Sequence, residues 1–126
     1  MRITADKKLI DIQAAFQEKF PFLKIEFYAH GHQPGEGSPV KEILNHELTI
    51  AEVRSVRKDG DLHIDEQMEV RALEKKFFED YGLNVQVFRR SGNLWMQTSA
   101  TDSWTLEKQN RKGGHSEAIV NDKSQK

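Results

Sequence analysis

The chain has no cysteine among its 126 residues. That excludes disulfides, thiolate metal sites and cysteine nucleophiles. An excess of charge of one sign is also missing, since 19 basic and 20 acidic side chains leave a formal net charge of -1. With no global field to attract a polyanion, nucleic-acid binding would have to come from a local patch and is disfavoured. No stretch approaches the roughly 20 apolar residues of a membrane span. The opening MRITADKKLI has no apolar run of the kind that marks a signal peptide. The expectation is a cytoplasmic protein with no membrane partner. Catalytic signatures are equally scarce: there is no HExxH, no GxGxxG and no nucleophile elbow around any serine. No catalytic residue, metal or cofactor is therefore expected.

What is present is a globular balance of 37% hydrophobic and 31% charged residues, in a length suited to one compact domain. Two apolar stripes organise it. Leu9, Ile12, Phe16 and Phe20 recur at spacings of three, four and four, and Val70, Leu73, Phe77 and Tyr81 repeat the same spacing. Each stripe is one face of an amphipathic helix. A short apolar lead precedes each, Met1 to Ile3 and Leu62 to Ile64, with Thr4 and Asp65 as expected helix caps. A break follows at Pro21 or Gly82. The period then changes to two in Leu23 to Tyr28 and Leu83 to Phe88, as in strands.

A second match joins LTIAEVRSVRKDG (from Leu48) to WTLEKQNRKGG (from Trp104), each a short helix closed by glycine. Asp102 or Ser103 is the expected cap of the second. The expected fold class is α+β, with two βαββα-like repeats forming one antiparallel or mixed sheet and two long helices packed on one face. Residues 1–60 make the first repeat and 61–113 the second, together one compact domain. Residues 114–126, with only Ala118, Ile119 and Val120 to bury, are expected to be a mobile tail.

The hairpin GLNVQVFRRSGNLWMQTS carries apolar residues on both faces. With Ser91 and Gly92 as the central turn residues, Phe88 opposes Trp95 and Val87 opposes Met96. With Gly92 and Asn93 central, Arg90 opposes Trp95 instead and the pair becomes a cation-π contact. Val85, Val87 and Met96 are expected to meet the helices. Tyr28, Phe88 and Trp95, with Arg90, Gln86, Gln97 and His30, are expected on the opposite face. Aromatic side chains on a polar sheet suit a binding or oligomer surface; a face covered by the chain itself would make them core.

His30-Gly31-His32 presents two imidazoles on one side of an extended segment, but no third ligand stands at a recognised spacing, so a solvated loop is favoured over a metal site. In HGHQPGEGSP the glycines suit an anion cradle, yet no lysine-serine follows and Glu36 would repel a phosphate. Arg89 and Arg90 beside Trp95, with Lys108, Arg111 and Lys112, are a candidate basic-aromatic patch. The run GLNVQVFRRSGNLW with TDSWTLEKQN resembles a group of small uncharacterised bacterial proteins over the second half of the chain. That resemblance implies no activity and no catalytic residues.

The leading functional expectation is a non-enzymatic binding or interaction module, self-associating as a homo-oligomer or meeting a protein partner through the face that bears Tyr28, Phe88 and Trp95, with His30 and Arg90 completing the candidate set. The alternative is a single-stranded nucleic-acid-binding domain. A small-molecule enzyme using the 30–38 loop comes third.

Overall fold

Both stripes are helical in the computed structural model, which describes residues 1–31 and 35–124. The elements run β1 (Arg2–Ile3), α1 (Leu9–Lys19), β2 (Leu23–Tyr28), α2 (Ile50–Val53), β3 (Gly60–Asp61), α3 (Val70–Tyr81), β4 (Asn84–Ser91), β5 (Leu94–Gln97) and α4 (Leu106–Ser124). Short 3-10 turns stand at Val40–Glu42 and Ser99–Thr101. The fold is α+β, but its strands form two sheets where one was expected. β1 pairs antiparallel with β3, and the other three strands form an antiparallel sheet in the order β2-β4-β5. No helix among the described residues is long and apolar enough to cross a membrane.

The period-3.6 stripes and the period-2 strands meet in one core. Leu9, Ile12 and Phe16 of α1 and Val70, Leu73 and Phe77 of α3 are fully buried, clustered with Ile25, Phe27, Val85 and Val87 of the three-stranded sheet. α1 and α3 therefore share a face of that sheet, while the longest helix is α4. Phe27 meets Phe77 edge-on with centroids 6.2 Å apart, a geometry that adds about 0.5–1.5 kcal/mol to the burial of the rings.

Helix ends follow local chemistry, not always at the expected residue. Thr4 bonds Asp6 and Asp65 accepts from Gln67, so neither caps a helix; the N-cap positions are Lys8 and Glu69. Thr49 and Glu52 form a reciprocal capping box at the start of α2. The cap at the start of α4 is Thr105, whose Oγ1 accepts from the Lys108 amide at 3.1 Å, in place of Asp102 or Ser103. Gly82 ends α3 in the left-handed conformation (φ 63°), its amide donating to the Phe78 carbonyl at 2.9 Å.

The junctions where each long helix begins are bonded alike. In the first half Leu9 N donates to Leu48 O and Ile50 N to Lys7 O; in the second Val70 N donates to Trp104 O and Leu106 N to Met68 O. The halves differ at the hairpin. Where the first half was expected to return as a strand, residues Val40–Glu42 form a 3-10 turn, leaving a single isolated bridge from Tyr28 to Ile43.

Residues 114–124, expected as part of a tail, lie in α4, which continues through Gly113 and Gly114 to Ser124. These glycines allow a close approach rather than a stop. A Cβ at Gly113 would lie 2.9 Å from both Cβ and O of Phe22, and one at Gly114 would lie 2.8 Å from the Phe22 ring. Ser116 fastens the helix beyond them: its Oγ donates to the Arg90 carbonyl at 3.0 Å and accepts from the Gly92 amide at 3.2 Å.

Candidate functional site

The pleat divides the three-stranded sheet into a helix face and an outer face. Alternation places Lys24, Glu26 and Tyr28 of β2 on the outer face, with Gln86, Phe88 and Arg90 of β4 and Trp95 and Gln97 of β5. The hairpin turn has Gly92 and Asn93 at its centre, since Ser91 pairs with Leu94. Gly92 has φ 64°, and a two-residue turn with glycine first requires that positive value. Of the two registers considered, the structure thus has the one that opposes Arg90 to Trp95 and Phe88 to Gln97. The shift is two residues, so partners change while faces do not.

Cations close over the outer aromatics. The Arg90 guanidinium carbon lies 5.1 Å from the Trp95 ring centroid, and Lys24 Nζ lies 5.3 Å from Trp95 and 5.2 Å from Phe88. Each cation is also paired: Lys24 with Glu26 at 3.4 Å and Arg90 with Glu117 at 3.1 Å. Trp95 is half-buried beneath these groups. The arrangement can stack a planar or cationic group on Trp95 only if Lys24 or Arg90 moves aside.

The other expected face residues are covered by the chain itself. Tyr28 is 2% exposed and Phe88 8%. The segment before the 3-10 turn lies across the sheet, where Ser38 N donates to Gln97 Oε1 at 2.9 Å and Gln97 Nε2 returns a bond to Ser38 O at 2.7 Å. Gly35 N donates to Asp102 Oδ2 at 2.8 Å. Beneath this cover Gln86 is fully buried, with its Oε1 3.4 Å from the Ser38 hydroxyl. Nearby, the buried Glu74 carboxylate of α3 accepts the Val87 amide at 3.0 Å. The Tyr28 hydroxyl has no hydrogen-bond partner among the described residues. Its pKa is pushed up to about 12, mainly by burial, with the negative charges of Glu26 and Glu74 adding to it.

His30 is not part of this face. It stands exposed after β2 with Nδ1 3.2 Å from Glu42 Oε1, and His32 lies outside the described residues. Among the described residues no group of three or more His, Cys, Asp or Glu side chains could hold a metal ion. The candidate basic patch is split by the sheet. Arg89 turns to the helix face, bonding Gln109 at 2.8 Å and lying 5.5 Å from the Trp104 ring, while Lys108 covers Trp104 at 4.1 Å. Arg90 alone stays with Trp95. Met96, expected to meet the helices, is on their face of the sheet but is 38% exposed.

Sequence reasoning missed the contrast between the two sheet edges. Along β2 the outward backbone is occupied: Leu44 N donates to Phe27 O, Ala29 N to Glu42 O, and Gln13 Nε2 to Ile25 O. The groove of about 220 Å³ left between α1 and β2 is below the usual range for a small-molecule pocket. Among the described residues β4 is the sole strand partner of β5, and the loop touches β5 through the Gln97 side chain, leaving the outward backbone of Trp95 and Gln97 without a bond. The β5 sequence Leu94-Trp95-Met96-Gln97 carries no charge, and Leu94 is 68% exposed. Edge strands ordinarily carry a lysine, a proline or a bulge to prevent pairing. The missing charge was legible; that β5 would be the edge was not.

Comparison with protein-family models, with curated proteins and with solved structures found no match.

Proposed function

We propose that the chain is a cytoplasmic binding module without catalytic chemistry of its own, self-associating through the part of the sheet that bears Trp95. One observation carries this reading: β5 is an uncharged edge strand with Leu94 and Met96 exposed beside a half-buried Trp95. Tyr28 and Phe88 are buried within the chain and leave Trp95 as the accessible aromatic of the outer face. Read as two related halves, the first lacking the second hairpin strand, a reading supported by the matched junction bonds, the chain supplies a platform with one edge to share. The test is solution mass across a concentration series. A mass that rises toward twice that of the chain supports the reading, and a monomer throughout rejects it.

A second reading, single-stranded nucleic-acid binding, is favoured by Lys24 and Arg90 over Trp95. Against it, both cations are paired with carboxylates and the net charge is -1. A short oligonucleotide titrated at two salt concentrations tests it, because phosphate contacts weaken steeply with salt.

A further inference from the structure

The geometry points to a specific interface for self-association: two copies join β5 to β5 antiparallel about a two-fold axis at Met96, making one continuous six-stranded sheet. This inference rests on the self-association reading and adds the direction and the register of the pairing.

Direction follows from the bonds already formed inside the chain. Thr98 N donates to Val87 O, and β5 pairs Met96 with Arg89 and Leu94 with Ser91. Odd-numbered residues of β4 thus direct their backbone groups toward β5, and Leu94, Met96 and Thr98 answer them. By alternation the amides and carbonyls of Trp95 and Gln97 point the other way, off the free edge. Those are the groups a further strand would engage.

The strand's chemistry selects a second copy as the occupant. Antiparallel pairing of a strand with itself sets like residues near one another, and like charges directly opposite are destabilising. β5 carries no charge, so self-pairing meets no such penalty, whereas a β2 edge with Lys24 and Glu26 is already covered. The contact is isologous and closes on two copies. Leu94 and Met96, exposed in the single chain, gain cover from it.

Register follows from the outward groups. Only with Met96 on the axis do both outward residues of each strand find each other: Trp95 pairs with the partner's Gln97, and Gln97 with the partner's Trp95. Each pair exchanges two backbone hydrogen bonds. Met96 and the partner's Met96 form a non-hydrogen-bonded pair, whose Cα atoms stand about 4.5 Å apart. That separation lies within the range a disulfide spans. Leu94 and the partner's Leu94 are displaced by about 14 Å along the strands, outside that range.

Because the chain has no cysteine, single-cysteine variants give an unambiguous readout. Met96→Cys and Leu94→Cys, each confirmed folded by thermal unfolding, are oxidised with oxidised glutathione at a concentration where the mass is that of a dimer. The expected result is a majority of covalent dimer for Met96→Cys and at least a tenfold lower yield for Leu94→Cys. A dimeric mass without cross-linking of Met96→Cys overturns the edge interface and leaves self-association standing. A monomeric mass at every concentration overturns both. As an independent check, Met96→Glu places two like charges at the axis while facing Arg89 as an opposite charge within the single chain, and is expected to weaken dimerisation at least tenfold without lowering the melting temperature of the monomer. Unchanged dimerisation there also overturns the interface.

Discussion

Arg90 and Trp95 face each other across the hairpin, the guanidinium carbon 5.1 Å from the indole centroid, while the other side of Arg90 is held by Glu117 of α4 at 3.1 Å. One residue thus links the aromatic face to the C-terminal helix, so what happens at Trp95 is connected to how α4 is seated.

Trp95→Ala is expected to leave the single chain folded, because the indole packs on Lys24 and Arg90 outside the apolar core. Losing two cation-π contacts at a partly exposed site costs about 0.5–1 kcal/mol each. Association should weaken by about 2 kcal/mol or more if the indole becomes interfacial. Thermal unfolding and solution mass on the same sample separate the outcomes. A large fall in melting temperature would show Trp95 to be a core residue.

Phe77→Ala is expected to cost about 3–5 kcal/mol, enough to unfold a domain whose whole stability is about 5–15 kcal/mol. Phe77 is fully buried and meets Phe27 edge-on. Phe16→Ala, equally buried on α1, should act alike. Denaturant midpoints measure both, and a cost below about 1 kcal/mol for either would contradict the shared core.

Gly113→Ala should destabilise the protein by about 1–3 kcal/mol through overpacking, although alanine in a solvated helix gains about 1 kcal/mol over glycine. The added methyl group would collide with Phe22 Cβ and its carbonyl oxygen. Lys112→Ala, at an exposed position one residue earlier, is the control and should be near neutral. A stabilised Gly113→Ala would mean that α4 does not press on Phe22.

Stability should fall in alkali, and Tyr28 should account for much of the fall. Its pKa is pushed from 10.0 to about 12 on folding, so the unfolded chain gives up the phenolic proton first. The stabilisation tied to the neutral phenol is complete below pH 10 and lost as pH rises to about 12, up to about 2–3 kcal/mol for two pKa units. Tyr81, also raised by burial, contributes in the same direction. Tyr28→Phe should flatten this decline. It should be neutral or stabilising at pH 7, because it removes a buried hydroxyl with no partner among the described residues. Urea unfolding at pH 8, 10 and 11 checks both halves of the prediction.

Local patterns account for much of the architecture. The stripes through Phe16 and Phe77 specify two amphipathic helices because side chains three and four apart share a face, and the alternation at Leu23 and Val85 specifies strands for the matching reason. Gly82 as a left-handed stop is equally local. Even the hairpin register was within reach, since a turn with glycine first places Gly92 and Asn93 at its centre. By contrast, Gly113 and Gly114 resemble a helix end until Phe22, distant in sequence, is seen pressed against them. Gln86 resembles a surface residue until the segment around Ser38 is seen against it, and the burial of Tyr28 and Phe88 is likewise absent from the local pattern.

Periodicity along the chain specifies α1, α3, β2 and the β4-β5 hairpin, and which side of each is apolar, because it depends only on near neighbours. The sequence by itself also determined that β5 carries no charge. Contacts between distant residues set the rest: β4 lies between β2 and β5, Tyr28 is buried while Leu94 stays bare, and α4 runs on past its glycines. These outcomes depend on contacts between residues far apart in sequence, where several pairings satisfy the same local pattern and close packing with hydrogen-bond satisfaction selects one of them.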